Sequence, residues 1–372
     1  MRFERVRDHP SSILKRSPTH PTSHTPTPTA ITENRKIHDP GVKRRPLGTT
    51  DLLVSPIGLG LAALGRPGYI NLGHADDLEG RYDIAAMETR AHSVLDAAWQ
   101  AGIRYFDAAR SYGRAEAFLA SWLQSRTIPR EDVIVGSKWG YTYTAGWKVE
   151  AEVHEVKEHT LPVLQRQWNE SRACLGAYLR LYQIHSATLE SGVLANRAVL
   201  STLAQLKSEG VAIGLSLSGP QQAEVLRRAV ATEVDGVRLF DSVQATWNLL
   251  EPSTGEALKN AHAAGMGVIV KEALANGRLT PRNTDPAFAH PLAVLKRQAA
   301  RLEAPLDALA LAAALAQPWA DVVLSGAATV DHLQSNVHAH TVLWDDEAAH
   351  TLAALAEPPA AYWKTRSALT WT

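Results

Sequence analysis

The sequence predicts a (β/α)8 barrel behind a disordered N-terminal extension, and three observations carry that prediction. From about residue 44 onward, eight short apolar runs alternate with stretches of helical periodicity over roughly the 250 residues such a barrel takes. Several of the runs end in a charged or polar residue, where a barrel strand delivers a side chain to the mouth. The competing doubly wound sheet needs a glycine fingerprint at its first turn, and Gly58-Leu59-Gly60 has no third glycine three residues on. Gly65 comes too late, and Pro67 breaks the helix that should follow.

Residues 1–43 stand apart. The stretch SPTHPTSHTPTPTA (17–30) has nothing to bury and cannot repay its ordering entropy, so it reads as disordered. It lacks the apolar core of a secretory signal. Basic and hydroxyl residues leave a transit peptide open, although Glu4 and Asp8 sit early, and a non-structural extension is the reading preferred. The barrel domain is expected over 44–372. Its first strand lies near Leu59, in the run 52–61, and a helix over 86–100 stops at Ala101-Gly102. Further strands are expected at 103–106, 133–137, 179–184, 212–216, 242–245, 267–271 and 322–325. Helices fall between them at 115–123, 154–174, 196–208, 221–232, 255–264 and 290–316. Two long connections, 66–82 and 139–152, belong on the catalytic face.

Composition excludes several classes. With 38 basic and 38 acidic residues there is no bulk pull toward nucleic acid or an anionic membrane. The one cysteine, Cys174, rules out an intrachain disulfide and any multi-cysteine metal site, so no metal is expected. No run approaches the roughly 18 apolar residues of a membrane span, and a reducing, cytoplasmic location is expected.

The chemistry sits at the strand ends. Asp107 follows the run 103–106, Tyr112-Gly113 forms a tight turn five residues later, Lys138 ends the next strand and His185 the one after. Taken singly, each has a structural reading: Asp107 caps the next helix, Lys138 snorkels to solvent, His185 is hydrogen-bonded in place. Taken in order, neighbouring strands bring all four to one spot. There the acid holds the ammonium, the ammonium favours the phenolate of a phenol whose ordinary pKa is about 10, and the imidazole orients a substrate oxygen. Such a set moves a proton to or from a carbonyl or alcohol. It supplies no nucleophile and no electron pair, which implies a hydride carrier.

At these positions the chain resembles the aldo-keto reductases. The matching segments are R-P-L-G-T-T-D-L-L-V-S-P-I-G-L-G (Arg45 to Gly60), F-D-A-A-R-S-Y-G (Phe106 to Gly113), S-K-W-G (Ser137 to Gly140) and Q-I-H (Gln183 to His185). They occur in the family's order, and the likeness runs from about residue 45 to 337. It implies a catalytic set of Tyr112 as general acid/base with Asp107, Lys138 and His185, and a nicotinamide dinucleotide held extended. It also implies cofactor contacts at Ser216 and Gln244 near the carboxamide, and at Gln334 and Asn336 on the adenine. Ser325, Gly326, Ala327 and the following helix N-terminus would receive phosphate. Two positions depart from the family: Leu217 replaces an asparagine, and Lys271 stands where an aromatic often stacks. Lys271 is placed instead to reach the pyrophosphate, with Trp247 offering a flat face.

NADP(H) is the expected cofactor on this resemblance and NAD(H) the alternative. A 2′-phosphate needs a cation or several donors. Between 324 and 336 only His332 is basic, with Arg278 and Lys271 as helpers. Aromatic residues Tyr69, Trp139, Tyr141, Tyr143 and Trp147, with Tyr362, Trp363 and Trp371 in the tail, suit sugars and aromatic aldehydes alike. The expected function is NAD(P)(H)-dependent reduction of a small carbonyl substrate. Oxidation of an aldose to its lactone is one alternative, and a non-catalytic sensor of nicotinamide redox state is another. No nucleic-acid or membrane partner is expected, and no oligomeric state follows from the residues.

Overall fold

A computed structural model describes residues 43–372, so the extension expected over 1–43 lies, apart from Lys43, outside the described residues. Eight parallel strands form the barrel: β1 (Ile57–Gly60), β2 (Tyr105–Asp107), β3 (Ile134–Trp139), β4 (Leu179–Ala187), β5 (Ala212–Leu217), β6 (Ser242–Thr246), β7 (Gly267–Lys271) and β8 (Val322–Ser325). Each strand pairs with its neighbours in chain order, and β8 closes onto β1. The side chains alternate as a closed sheet requires. Tyr105 packs inside with Ile134, Leu181, Ile269 and Val322, while Phe106 turns out against Trp122. A hairpin pairing Arg45–Pro46 with Leu53–Val54 adds Leu47, Leu52 and Val54 to the inner cluster, plugging the end away from the mouth.

Helices cover the outside. They are α1 (His74–Leu78), α2 (Ile84–Gln100), α3 (Ala115–Ser125), α4 (Leu161–Leu175), α5 (Arg197–Ser208), α6 (Gln222–Val230), α7 (Gly255–Ala263), α8 (Ala289–Arg301) and α9 (Leu306–Leu315). Then come α10 (Val330–Val337), α11 (Asp346–Ala353) and α12 (Pro359–Ser367). On α2, Met87, Ala91, Val94, Leu95 and Ala98 recur at helical spacing and are buried, and Asp83 caps its start by accepting from the Ala86 amide.

Two expected helices come out differently. The helix expected at 154–174 starts only at Leu161, because Pro162 sits in its first turn and disfavours helix before it. The residues ahead of it, Glu155–Lys157, pair instead with Tyr141–Tyr143 as an antiparallel ribbon beside the mouth. The long helix expected at 290–316 is two, broken where Glu303 takes φ 51° and Pro305 starts α9. Strand β2 is shifted toward its C-terminal end relative to 103–106, and so includes Asp107. The chain ends over the mouth, where Thr372 and Tyr69 exchange both backbone hydrogen bonds at 3.1 Å.

Candidate active site

Strands β2, β3 and β4 are adjacent in the barrel, and this adjacency assembles the four side chains. Lys138 is fully buried, and a lone ammonium there would be costly. It is paired: Nζ donates to Asp107 Oδ2, to the Ala108 carbonyl at 3.0 Å and to Tyr112 Oη at 3.4 Å. Tyr112 Oη lies 3.5 Å from His185 Nε2, with the two rings edge to face at 5.5 Å. Asp107 is held from its other oxygen as well. Oδ1 accepts from Tyr105 Oη at 3.2 Å, Gln183 Nε2 at 3.3 Å and Gln244 Nε2 at 2.9 Å. Gly136 makes that arrangement possible, since a Cβ there would stand 2.7 Å from the Tyr105 hydroxyl.

These groups open on a cavity of about 330 Å³ at the mouth, lined among others by Asp107, Tyr112, His185, Gln244, Lys271 and Ser325. Its electrostatics favour a protonated phenol. Burial, and then the Asp107 charge, push the Tyr112 pKa well above the ordinary 10, and the Arg66 guanidinium opposes them. The expected lowering by the ammonium is therefore outweighed by desolvation. Burial, with Lys138 next, pushes His185 well below 6.5, so its imidazole is neutral and has one donor and one acceptor nitrogen.

The other expected contact residues are spread along the cavity and its rim. Gln244 spends Nε2 on Asp107, which leaves Oε1 for a ligand. Ser216 accepts from the Ser186 amide at 2.8 Å and is buried. Lys271 donates to Thr246 Oγ1 at 2.7 Å and lies 3.6 Å from Glu272; burial brings its pKa down to about 8. Ser325 and Gly326 line the cavity, and Ser325 Oγ also meets the Ala327 amide at 3.3 Å. Asn336 is buried, its amide against Ser325 Oγ at 2.8 Å, whereas Gln334 is exposed. Trp247 packs against Trp319. Arg278 is taken by Glu357.

A nicotinamide dinucleotide fits these residues. The Asn276 Oδ1 is buried without a partner in a side chain that lines the cavity. Gly326 is open, with nothing within 4 Å of where a Cβ would stand, so a ligand can approach the backbone there. The first-turn amides of α10 follow directly, and Thr329 caps the helix by accepting from the His332 amide at 3.2 Å.

Sequence reasoning missed Arg66. It is 2% exposed and sits 5.2 Å from the Tyr112 ring centroid and 4.7 Å from that of Trp371. Its Nη1 donates to the Ser111 carbonyl at 3.0 Å and to Glu155 at 3.1 Å, tying the loop after β2 and the ribbon to its own loop at the mouth. A second missed pair, Glu272 with Arg366, anchors α12 to the end of β7. Nothing in the local pattern marks either pair, because the partners are separated by 89 and 94 residues.

The buried imidazoles set an acid limit on stability. Burial lowers His74 and His159 to about 4, and His185 is also depressed. Unfolded, all three take up protons near pH 6.5. Below that pH the unfolded chain binds more protons, so stability is lost as pH falls from 6.5 toward 4. We expect the unfolding free energy from urea titrations to fall between pH 7 and 5 by on the order of 1 kcal/mol per pH unit for each histidine. His159→Gln should remove one histidine's share of that slope, and an unchanged slope would refute the assignment.

The sequence profile of the Aldo/keto reductase family matches residues 56–357. The chain is 26% identical over 317 residues to the uncharacterized oxidoreductase YqkF of Bacillus subtilis, covering 80% of this chain and 91% of that one. It is 27% identical over 333 residues to L-galactose dehydrogenase of Arabidopsis thaliana, covering 85% and 95%. Among solved structures, the holo form of aldo-keto reductase AKR11C1 from Bacillus halodurans superposes with a TM-score of 0.66 over 85% of this chain and 97% of that one. At 24% identity that last likeness is one of fold.

Proposed function

This chain belongs to the aldo/keto reductase family of oxidoreductases, and from that premise we propose that it reduces a small aldehyde or ketone to the alcohol at the expense of a nicotinamide dinucleotide. The observation that carries the proposal is the Tyr112 hydroxyl, 3.4 Å from Lys138 Nζ and 3.5 Å from His185 Nε2 on the wall of one cavity. When bound, the dinucleotide supplies the hydride. The chain supplies the proton. Tyr112 is protonated at neutral pH and gives its proton to the carbonyl oxygen as negative charge develops there. His185 donates from its neutral ring to the same oxygen and orients it. The charge left on the phenol faces Lys138, which Asp107 holds in place, and Arg66 over the ring adds to that stabilisation.

A second reading is aldose oxidation at the anomeric carbon, in which the phenolate takes the proton. The polar side of the cavity favours it: Arg66, Asn71, Glu155 and Asn276 offer donors and acceptors suited to several hydroxyls. Its relative named for L-galactose is consistent with it. A panel of aldehydes and ketones with NADH and NADPH, run beside free aldoses with NAD⁺ and NADP⁺, tests both readings. Turnover is expected in at least one arm. Tight dinucleotide binding with no turnover in either arm would leave the sensor reading standing.

A further inference from the structure

This inference rests on the carbonyl-reducing reading and concerns the chemical class of the substrate. Among the described residues, the cavity is lined by the cations Arg66, Lys271 and Arg366 and by the carboxylates Asp107, Glu155 and Glu272. Each carboxylate has a cation against it. Asp107 is paired with Lys138, and Glu155 takes Arg66 at 3.1 Å. Glu272 takes Arg366 through Nε, at 3.0 Å, and through Nη2. Lys271 is the cation left over, 3.6 Å from the same Glu272 oxygen that Arg366 holds.

The charge of this cluster is fixed by its packing. Burial opposes ionisation of Glu272, but Arg366 and then Lys271 outweigh it and hold the pKa at about 2. Burial lowers Lys271 to about 8 against the pull of Glu272, so the ammonium persists at neutral pH. Burial disfavours the Arg366 charge as well, and Glu272 more than restores it. The three side chains therefore sum to one positive charge. Of the three N–H groups on Lys271, one goes to Thr246 Oγ1 at 2.7 Å, and Thr246 in turn donates to Glu272 Oε2 at 2.8 Å. Glu272, at 3.6 Å, lies beyond hydrogen-bond length from the ammonium. The Lys271 side chain keeps 16% of its surface open, and an unmatched charge in such a wall is costly until a ligand answers it.

Lys271 also stands at the reacting end of the cavity. Burial depresses His185 first, Lys138 next and Lys271 after that, so this ammonium acts on the imidazole that orients the substrate oxygen. The diphosphate of a dinucleotide is a ribose away from the ring that gives up the hydride. A carboxylate on the substrate matches what the cluster lacks, since it brings one negative charge and oxygens that only accept. We propose that Lys271 binds a substrate carboxylate, and that the carbonyl compounds this chain reduces are oxo acids.

The test is steady-state kinetics of the purified full chain at neutral pH with NADH and NADPH. The substrates are glyoxylate, pyruvate, 4-oxobutanoate and 4-carboxybenzaldehyde, each beside its methyl ester. At least one acid is expected to exceed its ester in kcat/KM by about tenfold or more, chiefly through KM, because the charge-assisted hydrogen bond forms on binding and persists in the reaction. Lys271→Met should lower that acid-to-ester ratio by about tenfold as well. Lys271→Gln, which keeps a donor for Thr246, should do the same and guards against a methionine variant that folds poorly. Wild-type esters turned over as well as their acids overturn the proposal, and so does turnover confined to carbonyl compounds outside this series. A fluorescence titration of the dinucleotide separates the other source of negative charge. Folded variants that lose dinucleotide affinity but keep the wild-type acid-to-ester ratio would assign Lys271 to the diphosphate and overturn the proposal. A wild type that binds no dinucleotide, or that reduces no carbonyl compound of any class, removes the carbonyl-reducing reading itself, an outcome distinct from equal use of acids and esters.

Discussion

Replacing Tyr112 with phenylalanine is expected to lower kcat about a thousandfold, within the range general acid catalysis typically contributes, while the Kd for the dinucleotide stays within twofold. The hydroxyl lost is the one between Lys138 and His185. The ring that remains still packs under Arg66 and against His185, so the cavity wall keeps its shape. Steady-state kinetics with the best substrate of the panel, beside a fluorescence titration of the dinucleotide, separate the two effects. Retention of more than about a tenth of kcat, a loss under roughly 1.4 kcal/mol, would show that the phenol does not carry the proton.

Lys138→Met is expected to have the second largest effect, and it acts on two quantities at once. The phenolate loses its nearest cation, so kcat should fall at least a hundredfold. In the oxidation direction the pH profile should move upward, because the phenol becomes a still weaker acid. The substitution also strands Asp107, which is 2% exposed. Breaking a buried ion pair this way costs roughly 3–5 kcal/mol, and the three donors on Asp107 Oδ1 should keep the loss near the lower end. Adding Asp107→Asn to the Lys138→Met chain should recover part of the urea midpoint and none of the turnover. A double variant no more stable than the single one would mean that the pair is not coupled as its geometry implies.

In the proposed mechanism the two effects separate because Lys138 has two jobs, one of them structural. A fully buried lysine at a strand end is tolerable only with a carboxylate in contact, and the barrel delivers that carboxylate from the adjacent strand. The same pairing fixes the ammonium where the phenol needs it.

Much of this was legible from residue order. Alternating apolar runs and helical stretches specify a barrel, since parallel strands need a crossover between each pair and eight of them close. The polar residues at or near the ends of β2, β3 and β4 could be placed at one mouth for the same reason: neighbours in sequence become neighbours in the sheet. Local errors arose where a tertiary partner overrode a local pattern. The residues ahead of α4 have helical character, yet they pair as a ribbon with Tyr141–Tyr143 because Pro162 bars a helix there.

By itself, then, the sequence determined the barrel, the order of its strands and the meeting of Asp107, Tyr112, Lys138 and His185, because these depend on periodicity and strand ends. Tertiary structure alone decided the electrical state of the site. The depth of burial that keeps Tyr112 protonated and His185 neutral is a property of the surrounding packing. So are the pairs of Arg66 with Glu155 and Arg282 with Asp77, which join loops 89 and 205 residues apart. Coulomb and desolvation energies depend on distance and exposure in space, and no spacing along the chain records either.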